Sequence, residues 1–271
     1  MRLPNLIVGL ILGAVSSALL AANPQALRVE GTRLVVTDDQ GREREQADLV
    51  GAELQLGTAG TLQVLSASKD PSARFDEVWL YQLQLRPTGA LMFQSFCAPD
   101  PYGDTRVVVY QGYFDQDRRY VADATRFSLS CVSGVEAKCL RWGYLPWRTA
   151  PANGASLEPY YTACINMARA DYCGNDAPST RNGTAIDIYD RVGVQTSDAS
   201  ITDMAFEAGW NEHGAVCVAH TRIVENLTLD GLHTNCPRLA EAPSGADCDD
   251  ATANTAGALL FNRSKLTASH Q

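Results

Sequence analysis

The chain has 271 residues, with 22 basic and 31 acidic side chains, a formal charge of −9 and eight cysteines. An acidic balance of this kind repels phosphate backbones and sets nucleic acid aside as a partner. The length allows one large domain or two modest ones, with a sizeable core in either case.

Residues 1–22 begin with Arg2, continue in an apolar run over 3–20 and end in Ala21 and Ala22. A basic start, an apolar centre and small residues at the end read as a secretory signal peptide cut near Ala22. A retained anchor is the competing reading, because the run approaches the roughly 20 residues that span a bilayer. The first cysteine is Cys97, too far downstream to carry a lipid at the end of such a leader. Cleavage would remove Arg2 and no acid, which moves the charge from −9 to −10. Nothing later is apolar enough to cross a membrane. The expected setting is therefore periplasmic or extracellular, with no stable membrane span after cleavage.

From residue 26 to about 125 the pattern is β. Residues 33–36, 52–56 and 61–65 are short strand candidates, and 78–85 and 90–96 flank Arg86-Pro87-Thr88-Gly89 as a hairpin would. Residues 106–110 (RVVVY) read as a buried strand. Two acidic stretches, 38–41 and 115–117, look like turns without the ligand spacing of a calcium loop. A small sheet or sandwich is expected here.

Residues 127–131 (FSLSC) make a last strand, after which Ser133 and Glu136 have the spacing of a capping box opening a helix through 137–141. RWGYLPW, residues 141–147, holds two tryptophans beside Gly and Pro. Such a cluster either wedges a loop onto a core or offers a sugar- or peptide-binding platform. Residues 157–171 place Tyr160, Tyr161, Cys164, Ile165, Met167 and Ala168 at helical spacing. Ser156 stands at the N-cap, Pro159 in the first turn and Gly174 just past the end. If that helix is unbroken, Cys164 and Cys173 lie about 13 Å apart along its axis. A disulfide needs Cα atoms within about 7 Å, so each must reach a different part of the chain. Residues 184–189 alternate as a half-buried strand, 204–210 and 215–221 flank a four-residue turn, and 227–232 read as a short helical turn. The residues from 242 onward are small and polar, except 258–261 (ALLF), which can dock as a final strand.

The cysteines are Cys97, Cys131, Cys139, Cys164, Cys173, Cys217, Cys236 and Cys248. An even count in an exported chain reads as a disulfide framework, although eight cysteines allow 105 pairings. The working expectation joins Cys97 to Cys131, Cys139 to Cys164, Cys173 to Cys217 and Cys236 to Cys248.

AKCLRWGYLPW (137–147), RADYCG (169–174), GTAIDIYDRVG (183–193), FEAGW (206–210) and GAVCVAHTR (214–222) occur in that order. Together they resemble the ADYC-domain family, exported bacterial proteins named for the four residues that match Ala170, Asp171, Tyr172 and Cys173. The resemblance covers roughly 127–239 and implies a bacterial envelope or extracellular setting. It brings no catalytic residues with it. In that setting the Asn-X-Ser/Thr triplets at Asn182, Asn226 and Asn262 are accidental and not glycosylation sites.

Three constellations have the residue types that chemistry needs. Cys173, Asp171 and His220 supply a nucleophile, an acid and a base, but a helix C-terminus raises a thiol pKa and favours a disulfide cysteine instead. Cys217 and His220, followed by His233 and Cys236, have near-zinc spacing. On a strand, however, residues three apart point to opposite faces. Asp187 and Asp190 flank Tyr189, and Glu207 and Glu212 flank Trp210, as paired carboxylates do in glycoside hydrolysis. The expectation is no catalytic, cofactor or metal site, with the thiol set and the zinc set as alternatives.

The expected architecture is α+β: a β-rich N-terminal region (23–125), an ADYC-like cysteine-rich domain with one central helix (126–240), and a loosely ordered segment (241–271). The expected role is an exported, disulfide-stabilised structural or binding module with no cofactor and an unidentified ligand. The alternative is a secreted thiol-dependent hydrolase or transferase.

Overall fold

The computed structural model describes residues 27–38, 40–116 and 119–266, together with the backbone of Ala21 and Ala22. The signal-peptide expectation falls almost wholly outside the described residues. The N-terminal half runs through β1 (Ala21–Ala22), β2 (Leu27–Glu30), β3 (Arg33–Thr37), β4 (Glu43–Glu45), β5 (Glu53–Gln55) and β6 (Gly60–Lys69). It continues through β7 (Trp79–Pro87), β8 (Gln94–Ser95), β9 (Val107–Gln111), β10 (Tyr113–Phe114), β11 (Tyr120–Val121) and β12 (Phe127–Cys131). Among the described residues these form a seven-stranded sheet in the order β1-β5-β6-β7-β9-β12, with β8 beside β7. A three-stranded sheet, β2-β3-β4, and the pair β10-β11 complete this half.

Strand β9 shows how the main sheet serves two cores. Val107 and Val109 share one with Leu34 and Val36 of β3, so the three-stranded sheet closes a sandwich over that face. Val108 and Tyr110 point the other way, into the core that holds the helices. Alternation with period two and burial on both sides explains the continuous apolar run. The expected strand over 90–96 is only the two rungs of β8, Gln84 opposite Ser95 and Leu85 opposite Gln94. Gly89 turns the chain away in a left-handed conformation, and Leu91 and Met92 project into solvent.

The second half comprises α1 (Val135–Arg141), α2 (Glu158–Arg169), β13 (Ile186–Asp190), β14 (Ala205–Asn211), β15 (Gly214–Val218), α3 (Leu229–Asn235), α4 (Asp250–Thr255) and β16 (Leu260–Ser264). Strands β13, β16, β14 and β15 make an antiparallel sheet in that order. Helix α2 lies between the two large sheets, packing with Tyr110 toward one and with Ala208, Trp210 and Leu260 toward the other. Every residue from Tyr160 to Met167 is buried. The one-faced spacing read from sequence therefore understates it, since a helix enclosed by two layers is buried all round. Tyr161 also meets Phe114 and Tyr120 at ring-centroid distances of 5.5 and 5.7 Å, which pins the β10-β11 pair to the helix. Each such pair contributes about 0.5–1.5 kcal/mol beyond its burial.

Two local expectations are corrected. The Ser133–Glu136 capping box does not form: α1 starts after Gly134 with no side-chain cap, and the Ser130 hydroxyl accepts from the Ala137 amide instead. The segment expected to be loose from 241 contains α4, and the strand expected at 258–261 forms as β16, inside the sheet between β13 and β14. Asp249 caps α4 by accepting from the Thr252 amide, and Gly209 lets that helix approach the sheet, since a Cβ there would lie 2.5 Å from that of Ala253.

All eight cysteines are paired, as Cys97–Cys131, Cys139–Cys164, Cys173–Cys236 and Cys217–Cys248. The expected Cys173–Cys217 and Cys236–Cys248 pairs are exchanged, and a bulge is the reason. Trp210 pairs with Ala215 and Gly209 with Cys217, leaving Val216 as the extra residue on β15. An unbroken strand would put Cys217 on the face of Ala215, toward α2. The bulge turns it to the opposite face, where it packs with Ala253 and Phe261 and meets Cys248.

Candidate functional site

The residues that follow α2 each close a different contact. Ala170 ends the helix in the left-handed conformation (φ 49°, ψ 43°), the place expected for Gly174. A left-handed alanine costs about 1–2 kcal/mol, so its surroundings must hold it. They do so partly through Ser179, whose hydroxyl donates to the Ala170 carbonyl at 2.9 Å. Asp171, fully buried, accepts the amides of Asn175 (3.1 Å) and Asp176 (2.9 Å) and so shapes the turn. Tyr172 stacks on Trp210 with centroids 5.0 Å apart. Its hydroxyl donates to Glu207 at 2.9 Å and accepts the Arg222 amide at 2.7 Å. Cys173 is bonded to Cys236.

Gly174 and Gly214 let this turn sit directly on the β14-β15 hairpin. Gly174 has φ +69°, and a Cβ on it would lie 2.1 Å from the His213 carbonyl oxygen. The Tyr172 carbonyl accepts from the Ala215 amide (2.9 Å) and from Arg238 Nη2 (2.8 Å), while Arg238 Nη1 donates to the Ala215 carbonyl. The segment joins the end of α2, the hairpin and the end of α3 in one place.

At its centre is a buried ion pair. Glu207 and Arg222 approach to 2.9 Å with side chains 0% and 1% exposed. A second bulge positions the acid: Phe206 pairs with Arg263 and Ala208 with Asn262, leaving Glu207 as the extra residue, turned inward. Arg222 donates to both Glu207 oxygens and to the carbonyls of Met167 and Ala168 at the end of α2. Asn262 donates to Glu207 and accepts from the Trp210 indole, so both ends of its carboxamide are held. Burial alone would push the Glu207 carboxyl up, but the Arg222 charge and the hydrogen bonds overcome that and hold it below the usual range. Burial and the Glu207 charge push the Tyr172 phenol well above its ordinary value, so it stays a neutral donor. Nothing in the sequence reading pairs Arg222 or Asn262 with Glu207, or Arg238 with the Tyr172 carbonyl. The available signal was Glu207 inside an apolar strand, since a buried carboxylate requires a partner.

The sign of the acid response follows. Glu207 has a folded value below its unfolded value of about 4.3, so its contribution is complete above that pH and is lost as pH falls through the folded value. Asp70 has the same sign: burial opposes it, but Arg141 and Ser72 hold its carboxyl low. Thermal melts are expected to give a level Tm down to about pH 5 and a falling one below it. A Tm that rises on acidification would contradict this assignment.

The other carboxylates are committed to turns. Asp187 accepts from Ser197, the Asp198 amide and Arg263. Asp190 accepts the amides of Val192, Val194 and Gln195 and the Tyr144 hydroxyl. Glu212 sits at the hairpin tip, 3.8 Å from His213. In RWGYLPW, Tyr144 is fully buried, Trp147 donates to Glu77 and covers Gly31, and Gly143 packs on Arg74 and Val194. This loop wedges onto the core.

The thiol and zinc alternatives are taken apart by the same geometry. Cys173 lines one crevice, with Asn175 and Asn235, and its sulfur is held by Cys236. His220 lines another, with Val224, Leu229 and Leu266; its Nδ1 meets the Thr221 carbonyl and its Nε2 is buried without a partner. Cys217 and Cys236 are bonded to Cys248 and Cys173, so neither thiolate of the zinc set is available. His233 lies in the last turn of α3. Among the described residues no group of three or more His, Cys, Asp or Glu is placed to hold a metal ion. Nor is any described helix long and apolar enough to cross a membrane.

Comparison with known proteins finds no curated protein and no solved structure that matches. A family model, the ADYC domain, matches residues 46–224. That range takes in most of the N-terminal sheet, beyond the 127–239 over which the resemblance was read. It stops short of Cys236, Cys248 and β16, which complete two disulfides and the second sheet. With about two thirds of its length matched, the chain belongs to the ADYC domain family.

Proposed function

We propose that this protein is an exported structural or binding module of the bacterial cell envelope or extracellular space, in which the ADYC segment is a joint and not a reaction centre. The observation that carries this reading is the fate of residues 170–173. Each is spent on the fold: a helix stop, a turn acceptor, a hydrogen bond to a buried ion pair and a disulfide. A hydrolase or transferase using Cys173 and His220 needs a free sulfur beside a base, and Cys236 occupies that sulfur. Export is supported by the leader-like residues 1–22 and by four disulfides, which persist in oxidising compartments.

The test is to express the chain from Met1 in a bacterium, fractionate the cells and sequence the protein N-terminus. The expected result is a protein outside the cytoplasm that starts near Asn23. Recovery in the membrane fraction with Met1 retained would refute the processing and favour an anchor.

A further inference from the structure

The four disulfides differ in access. Cys139 and Cys164 are both 0% exposed, and Cys217 and Cys248 are 0% and 4% exposed. Cys173 is only partly buried, and with Cys236 it lines an open crevice of about 220 Å³. The crevice wall includes Asn175, Pro178, Asn226, Leu232 and Asn235. Its lining side chains are neutral at ordinary pH; the Asn226 carboxamide is held by Ser179 and Arg181, while those of Asn175 and Asn235 can pair with a peptide backbone as donor and acceptor. An extended, thiol-bearing segment fits that chemistry.

From this we propose that Cys173–Cys236 is a redox-active disulfide, the site at which a dithiol reductant exchanges with the protein. The proposal goes beyond the stapled-module reading, which needs only that the disulfides form. A thiolate of the reductant attacks the Sγ of Cys173, the more exposed residue of the pair, and forms a mixed disulfide. The Cys173–Cys236 bond breaks, and its electron pair leaves on Cys236 Sγ, which takes up a proton. The second thiolate of the reductant then attacks its own sulfur in the mixed disulfide. Cys173 leaves as a thiolate and is protonated, so the reductant becomes a disulfide and the protein gains two thiols.

The fold is built to survive that opening. Arg238 spans the same junction through its bonds to the carbonyls of Tyr172 and Ala215, and Leu232 and Leu239 keep the α3 end buried. Reduction therefore releases α3 from the turn at one point, while Glu207, Arg222 and Tyr172 keep the core closed. Cys131 is also partly buried and its partner Cys97, at 2% exposed, is about as buried as Cys236 at 1%; the difference is that Cys131 lies within β12, laddered to Val107 of β9, whereas Cys173 lies in the turn after α2 at the crevice.

The test is timed reduction of the full-length native protein with dithiothreitol, trapping with iodoacetamide, peptide mapping and circular dichroism on the same samples. Cys173 and Cys236 should be labelled together, on the order of tenfold faster than any other pair, while the native spectrum persists. Glutathione, a monothiol, should form its mixed disulfide on Cys173 and not on Cys236. Opening of Cys97–Cys131 first, or loss of all four disulfides together as the spectrum collapses, would overturn the proposal.

Discussion

Replacing Arg222 with methionine is expected to destabilise the protein by about 3–5 kcal/mol, the usual cost of leaving one member of a buried ion pair without its partner. For a domain of this size that lowers Tm by roughly 10 °C. Several losses coincide in this variant. Glu207 must take up a proton or draw in water, and the carbonyls of Met167 and Ala168 lose their donor where α2 ends. Adding Glu207→Gln should recover part of the loss, because the stranded charge is gone and the two residues are coupled. Chemical denaturation of the two single variants and the double variant measures this. An Arg222→Met protein within about 1 kcal/mol of wild type would show that the pair is not what closes the joint.

The second large effect is expected at Gly174. Alanine there adds the strain of a left-handed residue, about 1–3 kcal/mol, and also sets a methyl group against backbone. The obstructing atom is the His213 carbonyl oxygen at 2.1 Å, so the hairpin tip itself must move. Gly183 provides the comparison, since it has φ +84° and nothing within 4 Å of an added Cβ. Gly183→Ala should show the strain alone, and Gly174→Ala should lose clearly more in the same urea titration. Equal losses would mean that the turn and the hairpin are not in the close contact described above.

What was legible in the sequence was local. β12 coincides with its expected bounds, and α2 lies within 157–171, because strand alternation and helical spacing are written in neighbouring residues. The break after α2 was legible as an event but not in its detail. Gly174 is required for a close approach, while the left-handed stop falls on Ala170, which only the surrounding hydrogen bonds sustain. The ion pair and two of the disulfides were hidden for one shared reason. Single-residue bulges at Glu207 and Val216 reverse which face each side chain takes, and a period-two reading assumes there are none. In the last segment a docking strand at 258–261 is legible from its apolar run, but α4 and the strand's place between β13 and β14 are not, because they depend on neighbours distant in sequence.

Every cysteine is disulfide-bonded in the native fold, with Cys173 joined to Cys236. Non-reducing digestion and mass mapping of protein purified without reductant, after alkylation under denaturing conditions, tests it most directly. The expected result is no alkylated cysteine before reduction, eight after it, and linked peptides that join Cys173 to Cys236 and Cys217 to Cys248. A linked Cys173–Cys217 peptide, or Cys173 alone carrying the label before reduction, would contradict it.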